Sequence, residues 1–263
     1  MKKFIYYILI CVLFSGCGID VRNTNADIDA PIPSNKKLEW GLKKNLGAAP
    51  DINPGEKEIL DRYNGYYIGD SSKNEVYLTF DEGYENGYTS QILDVLKRTN
   101  VPACFFVTGP YLEKEHELIM RMVNEGHIVG NHTVNHPSMP SVKDEKELED
   151  ELLTLDRRFY ALTGQTMKYL RPPKGEHSER TLALSCDLGY KTVFWSIAYM
   201  DWDLKQQKGT DYVMSSILDN LHNGAVILMH AVSPDNANAL ESVINEVRGR
   251  GFEFKSLDSL PEK

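Results

Sequence analysis

Cysteine is scarce in this 263-residue chain: there are four. Cys11 and Cys17 belong to an amino-terminal targeting-like segment, which leaves Cys104 and Cys186 for the body. Nothing in the spacing of that last pair asks for a disulfide. They read instead as small hydrophobes, Cys104 in the apolar run Ala103–Val107 and Cys186 in a helix-like stretch. Basic excess is also lacking. Lys plus Arg is 29 against 38 Asp plus Glu, a net charge of −9. No electrostatic footprint for nucleic acid exists, and no polybasic patch for an anionic membrane surface. The apolar run Phe4–Phe14 is shorter than the roughly 20 residues that span a bilayer. There is no Gly-x-Ser-x-Gly elbow, no Walker or dinucleotide-type glycine loop, and no internal repeat or low-complexity array.

What is present is ordinary globular content, 41% hydrophobic, in a chain long enough for one large domain or two small ones. Lys2 and Lys3 followed by the run Phe4–Phe14 have the make-up of a signal-peptide core. Ser15-Gly16-Cys17 looks like a bacterial lipobox, with Phe14 where that box normally has leucine and Leu13 one place further back. The expectation is export to the cell envelope, with a lipid on Cys17, plain secretion or an uncleaved signal anchor as the possible fates of residues 1–17. Membrane attachment is expected only through that segment. Residues 18–73 read as a linker and an irregular extension. Asn23–Lys37 is rich in Asn, Asp, Pro and Ser without periodicity, and Trp40, Tyr63, Tyr66 and Tyr67 then bring aromatics back to pack on the body.

From residue 74 the pattern alternates strand and helix. Strand-like runs occur at 76–80, 103–107, 128–129, 168–170, 192–195, 225–228 and 252–254. Helical periodicity occupies 89–98, 111–125, the stretch behind Ser141 (read as an N-cap, with Asp144 three places on), 178–188, 210–222 and 236–249. Repeated βα units imply parallel strands with helices outside, and their number suits an α/β fold of the distorted (β/α) barrel kind.

In such folds the chemistry gathers at the carboxyl ends of the strands. Five stretches fall there. Thr79-Phe80-Asp81-Glu82-Gly83 ends a strand on two carboxylates. His132 and His136 stand four apart, a spacing that lets two imidazoles share one cation from a single helical turn. Arg171-Pro172-Pro173-Lys174-Gly175 presents a planar cation on a stiff backbone. Asp201 and Trp202 follow the run at 192–195, and His230 ends the apolar run Ala225–Leu228. Each alone has a bland reading as turn, cap or core residue. Together they supply a cation site, a spare carboxylate, a spare imidazole, and an acid and a cation to orient them.

TFDEG, HTVNHP, RPPKG, MDWD and LMH resemble, in order, the five motifs of the polysaccharide deacetylase family, the NodB-homology domain or carbohydrate esterase family 4. The resemblance covers about residues 74–256. It implies a distorted (β/α) barrel that removes N-acetyl, sometimes O-acetyl, groups from sugars with a divalent metal, usually zinc. TFDEGYENGYT, FFVTG, FWS, QKG and the stretch Val232–Ala237 look like the branch of exported enzymes that deacetylate N-acetylmuramic acid in peptidoglycan and are associated with muramic δ-lactam in spore cortex. Carried over residue by residue, the resemblance implies Asp81 as general base, His132, His136 and Glu82 as metal ligands, and His230 as general acid. Arg171 would pair with Asp81, and Asp201 would orient His230. A backbone N–H near Lys174 would hold the oxyanion, and Trp202 and Tyr84 would contact substrate. The partner implied is a peptidoglycan glycan strand, met by a monomer. Two positions depart from the pattern. The family has Asp at Glu82, and the muramic branch often has Asn, so Glu82 either ligates or swings aside and leaves two histidines and water. An aromatic is usual at Lys174. Rival readings are a glucosamine or chitooligosaccharide deacetylase or acetyl esterase on the same frame, and an inactive glycan-binding lipoprotein.

Overall fold

Parallel strands need a long return path, and the helical stretches between the apolar runs supply it. The computed structural model describes residues 32–263; residues 1–17, read above as signal and lipobox, lie outside these. The described residues open with β1 (Leu38–Glu39), a hairpin of β2 (Leu42–Asn45) and β3 (Ala48–Ile52), and helix α1 (Glu56–Arg62). The later strands are β4 (Gly65–Tyr66), β5 (Glu75–Glu82), β6 (Ala103–Val107), β7 (Ile128–Asn131), β8 (Tyr169–Leu170), β9 (Glu176–His177), β10 (Lys191–Val193), β11 (Ala225–His230) and β12 (Glu253–Phe254). One sheet of eight runs in the order β11-β5-β6-β7-β8-β10-β4, with β12 also on β5, and every pair in it is parallel. The sheet curls so that its ends meet through single bridges, Ile68 to Ala225 and Ile197 to Ile227. The expected distorted barrel is what forms.

Outside the sheet lie α2 (Thr89–Thr99), α3 (Gly109–Lys114), α4 (His116–Asn124), α5 (Glu145–Thr163), α6 (Glu179–Asp187), α7 (Thr210–Leu218) and α8 (Pro234–Gly249). Strand side chains alternate faces. Leu78, Phe80, Phe105, Ile227 and Met229 therefore join the helix-facing core with Leu148, Leu152, Leu155 and Phe159 of α5. Tyr77, Cys104, Phe106 and Val226 form a separate inner core. Cys104 is buried and both body cysteines are free thiols.

Four local readings are corrected. The strand expected at 76–80 continues to Glu82, because the ladder outlasts the apolar run: Asp81 pairs with Phe106 and Glu82 with Val107 on β6. The helix expected at 111–125 is two, broken where Glu115 leaves helical geometry at φ −110° and ψ 43°. Ser141 closes a short 3₁₀ turn and does not cap α5; Asp144 does, its carboxylate accepting the Glu147 N–H at 2.8 Å. Gly65–Tyr66, read as part of an irregular extension, is a strand of the main sheet, paired with β10.

Several histidines are buried neutral, and this sets an acid limit on stability. His127 is 8% exposed, and burial pulls its pKa down to about 4. Its folded pKa lies below the unfolded value near 6.5, so its contribution is whole above that value and is lost as pH falls toward 4. Unfolding free energy is expected to drop by on the order of 3 kcal/mol over that window from His127 alone. Denaturant titrations from pH 7 to 4 on wild type and His127→Gln check this; the variant should show the shallower slope.

Candidate active site

Register brings the first two groups together. Asp81 and His230 are paired positions on neighbouring parallel strands, β5 and β11, so both side chains stand on the inner face at the carboxyl end. They line a cavity of about 730 Å³ together with His132, His136, Lys174 and Trp202. Tyr84 also lines it, and it and Trp202 are each about half exposed at the rim.

Arg171 follows β8 and is wholly buried. Its Nη1 donates to Asp81 Oδ1 at 2.7 Å, and its Nε and Nη2 donate to the carbonyls of Val193 and Phe194 at 3.0 and 3.2 Å. The guanidinium lies 4.2 Å over the Phe106 ring. Gly130 is what makes room for that ring, since a Cβ there would sit 2.6 Å from it. Burial by itself would raise the Asp81 pKa, but the charge and hydrogen bond of Arg171, together with His132 and His230, outweigh it and hold the carboxyl below its ordinary value. Asp81 is therefore an anion aimed by one fixed hydrogen bond.

His132 follows β7. Its Nδ1–H donates to the Arg171 carbonyl at 2.7 Å, which leaves Nε2 facing Asp81 Oδ2 at 3.6 Å. Burial lowers its pKa to about 4, so the ring is neutral. His136 has its pKa lowered too, by burial and by the nearby Lys174 charge against the pull of Asp81. The two rings lie 4.9 Å apart. They meet through a loop with two left-handed residues, Thr133 at φ 65° and His136 at φ 57°, and not through the helical turn expected from their spacing. Asn131 pins that loop by accepting the Thr133 N–H at 2.9 Å while donating to the Leu152 carbonyl.

His230 Nδ1 meets Asp201 Oδ1 at 2.7 Å, and Asp201 Oδ2 accepts the His230 backbone N–H at 2.8 Å. Asn236 on α8 adds a donor to the same Oδ2 at 2.6 Å and is itself held by the Tyr199 hydroxyl. Burial would lower the His230 pKa; the charge and hydrogen bond of Asp201 outweigh that, Asp81 adds to them, and the pKa lies above its ordinary value. The site thus pairs a low-pKa acid with a high-pKa imidazole across one opening. That is the separation which acid–base catalysis needs. Asn236 was not singled out from the sequence, although it sits within the run Val232–Ala237.

Lys174 takes φ 60° in the turn after Arg171. The Gly175 N–H is engaged by the Pro172 carbonyl, so the Lys174 N–H is the donor at hand for an oxyanion. Glu82 is not brought to the imidazoles. It follows Asp81 on a strand, so it points to the opposite, helix-facing side. There it is wholly buried with neither carboxylate oxygen hydrogen-bonded, and burial, then the charges of Glu85 and Asp81, push its pKa well up.

Among the described residues no three His, Cys, Asp or Glu side chains are grouped to hold a metal. The donors that do converge still suit one. Two neutral imidazoles lie beside an anionic carboxylate, and His132 is oriented through its other nitrogen by a backbone carbonyl, as metal-ligating histidines are. The donor set fits a first-row divalent ion with the remaining positions open to water.

A curled parallel sheet presenting an acid, an opposed imidazole and a pair of histidines at its carboxyl edge defines a hydrolase-like barrel. The chain belongs to the polysaccharide deacetylase family, whose model matches residues 68–193. It is 42% identical over 228 residues to the peptidoglycan-N-acetylmuramic acid deacetylase PdaA of Bacillus subtilis, covering 86% of each chain. The structure of that protein, described as a family 4 carbohydrate esterase, superposes with a TM-score of 0.84 at 41% identity, over 86% of this chain and 97% of that one. An uncharacterized 30.6 kDa protein of Geobacillus stearothermophilus is 50% identical over 229 residues, again 86% of each chain. A peptidoglycan-N-acetylglucosamine deacetylase of Bacillus cereus is 33% identical over 205 residues, 76% of this chain and 73% of that one.

Proposed function

We propose that this protein is a metal-dependent peptidoglycan N-deacetylase acting on N-acetylmuramic acid, in the step that leads to muramic δ-lactam in spore cortex. The observation that carries the chemistry is the facing of two locked pairs, Asp81 on Arg171 and His230 on Asp201, across the cavity that holds His132 and His136. The muramic assignment is supported by the 42% identity to PdaA. His132 and His136 would hold a divalent ion, zinc being the first choice. Such an ion supplies a Lewis acid that lowers the pKa of water toward about 7 and polarises an amide carbonyl.

The chain's own residues do the rest. Asp81 Oδ2, with its partner oxygen fixed by Arg171, takes the proton from the attacking water. The Lys174 N–H hydrogen-bonds the developing oxyanion. An amine anion leaves poorly, so His230, kept protonated by Asp201, gives its proton to the departing nitrogen. Trp202 and Tyr84, exposed beside the opening, offer flat apolar faces to the sugar rings. The protein is proposed to act outside the cytoplasm as a monomer, tethered through Cys17 or released.

Acetate release measured on peptidoglycan, chitin oligomers and acetylxylan tests the reading. Release is expected from peptidoglycan above the others; release from chitin oligomers alone would move the assignment to glucosamine. Chelation is expected to abolish release, and added zinc or cobalt to restore it. Release undiminished after exhaustive chelation would contradict metal dependence.

A further inference from the structure

The residues before the barrel reach the back of the site. Ser34 and Asn35 begin the contact: the Ser34 carbonyl accepts the Arg180 N–H at 3.0 Å, and Asn35 Nδ2 donates to the Pro140 carbonyl at 3.0 Å, just beyond His136. Asn35 Oδ1 accepts the Ser178 hydroxyl. β1 then pairs antiparallel with β9, Leu38 opposite His177 and Glu39 opposite Glu176. Trp40, 8% exposed, completes the run. Its backbone N–H donates to the Gly175 carbonyl at 3.0 Å, and its indole Nε1–H donates to the Trp195 carbonyl at 3.0 Å. Its ring stacks on Phe194 at 4.5 Å.

Of these, the β1 pairing adjoins, and the Trp40 bonds fall on, the two backbone pieces that the chemistry needs still. Lys174 and Gly175 are consecutive left-handed residues, at φ 60° and 68°. A non-glycine residue in that region is strained and persists only where surroundings enforce it. The Gly175 carbonyl is held by two groups, the Trp40 N–H and His177 Nδ1, the latter also at 3.0 Å. The fit is close: a Cβ on Gly175 would lie 2.8 Å from the Trp40 Cβ and 3.0 Å from the Trp195 ring. On the other side, Phe194 and Trp195 continue β10, Arg171 uses the carbonyls of Val193 and Phe194, and Trp195 lines the cavity.

We propose that residues 34–40 are a working part of the site, a strap that holds the Lys174–Gly175 turn and the Trp195 wall from behind, with Trp40 as its positioning residue. Trp40 touches no substrate. It acts by keeping the Lys174 N–H aimed, and displacing such a donor by an ångström costs on the order of 10²-fold in rate. The strap lies outside residues 68–193, the part matched by the family model. The effect on turnover rests on the deacetylase reading above; the effect on the turn does not.

The test compares Trp40→Ala, Trp40→Phe and Leu60→Ala with wild type. Leu60 shares the apolar cluster of Trp40 and Phe194, so it controls for loss of packing alone. Trp40→Ala is expected to lower kcat by about 10- to 100-fold, with KM changed by less than about threefold. Trp40→Phe keeps the ring and the backbone donor but loses the indole N–H, and should fall between; it carries the test if the alanine variant does not fold. Amide exchange at residues 174–177 should quicken in both Trp40 variants and stay near wild type in Leu60→Ala. A kcat for Trp40→Ala within about twofold of wild type, or an equal loss in Leu60→Ala, would overturn the proposal. Should the wild type release no acetate from any glycan, the deacetylase reading fails by itself. Exchange at 174–177 then judges the strap, and unchanged exchange in Trp40→Ala overturns it.

Discussion

Asp81→Asn is expected to slow acetate release by about 10²- to 10⁴-fold while the barrel stays folded. The amide keeps the shape of the carboxylate and an oxygen for the Arg171 guanidinium, now bound at 2.7 Å to Asp81 Oδ1. It removes the one property that matters, a basic oxygen beside the imidazoles. Arg171 is fully buried and loses its counter-charge, so stability should fall too, and rates must be taken well below the melting transition. Divalent-ion affinity, measured by calorimetry, separates the roles: a variant that still binds the ion but does not turn over has lost proton transfer. Near-wild-type release from Asp81→Asn would mean that another group takes the proton.

The second large effect lies at the opposed pair. His230→Ala is expected to lose about 10²- to 10⁴-fold in kcat, because the leaving amine is then expelled without a proton. Asp201→Asn is the more informative companion. Asp201 raises the His230 pKa against the downward push of burial. A general acid works only while protonated, so the alkaline limb of the pH–rate profile follows His230. Removing the Asp201 charge lowers that pKa, and the limb should move to lower pH. The acid limb, set by Asp81 below its ordinary carboxyl value, should stay in place. A profile of kcat/KM on both enzymes checks the sign; an alkaline limb that moves upward, or not at all, would remove Asp201 from this role.

The strand ends that deliver these groups were legible because each motif follows an apolar run and a parallel sheet brings all such ends to one side. The separation of Asp81 from Glu82 was legible only in part. Two adjacent carboxylates look equivalent until the strand is seen to run through both, and then alternation sends one to the cavity and the other into the helix-facing core. The loop joining His132 to His136 was hidden for a different reason. Thr133 is β-branched and disfavours the left-handed geometry that it adopts, so tertiary contacts, including the Gly109 N–H on the Thr133 and Val134 carbonyls, override local preference. The partners of Asn236 and Trp40 were out of reach of pattern reading. One meets Asp201 from 35 residues away and the other meets Trp195 from 155 residues away, and no local periodicity announces a contact at that range.

The measurement closest to the centre of this account is the mass of muropeptides from spore-type peptidoglycan before and after incubation with the purified, zinc-loaded protein, run beside Asp81→Asn. Products lighter by one acetyl group at muramic acid are expected with the wild type and none with the variant. Acetyl groups left intact by the wild type, or removed equally by Asp81→Asn, would contradict it.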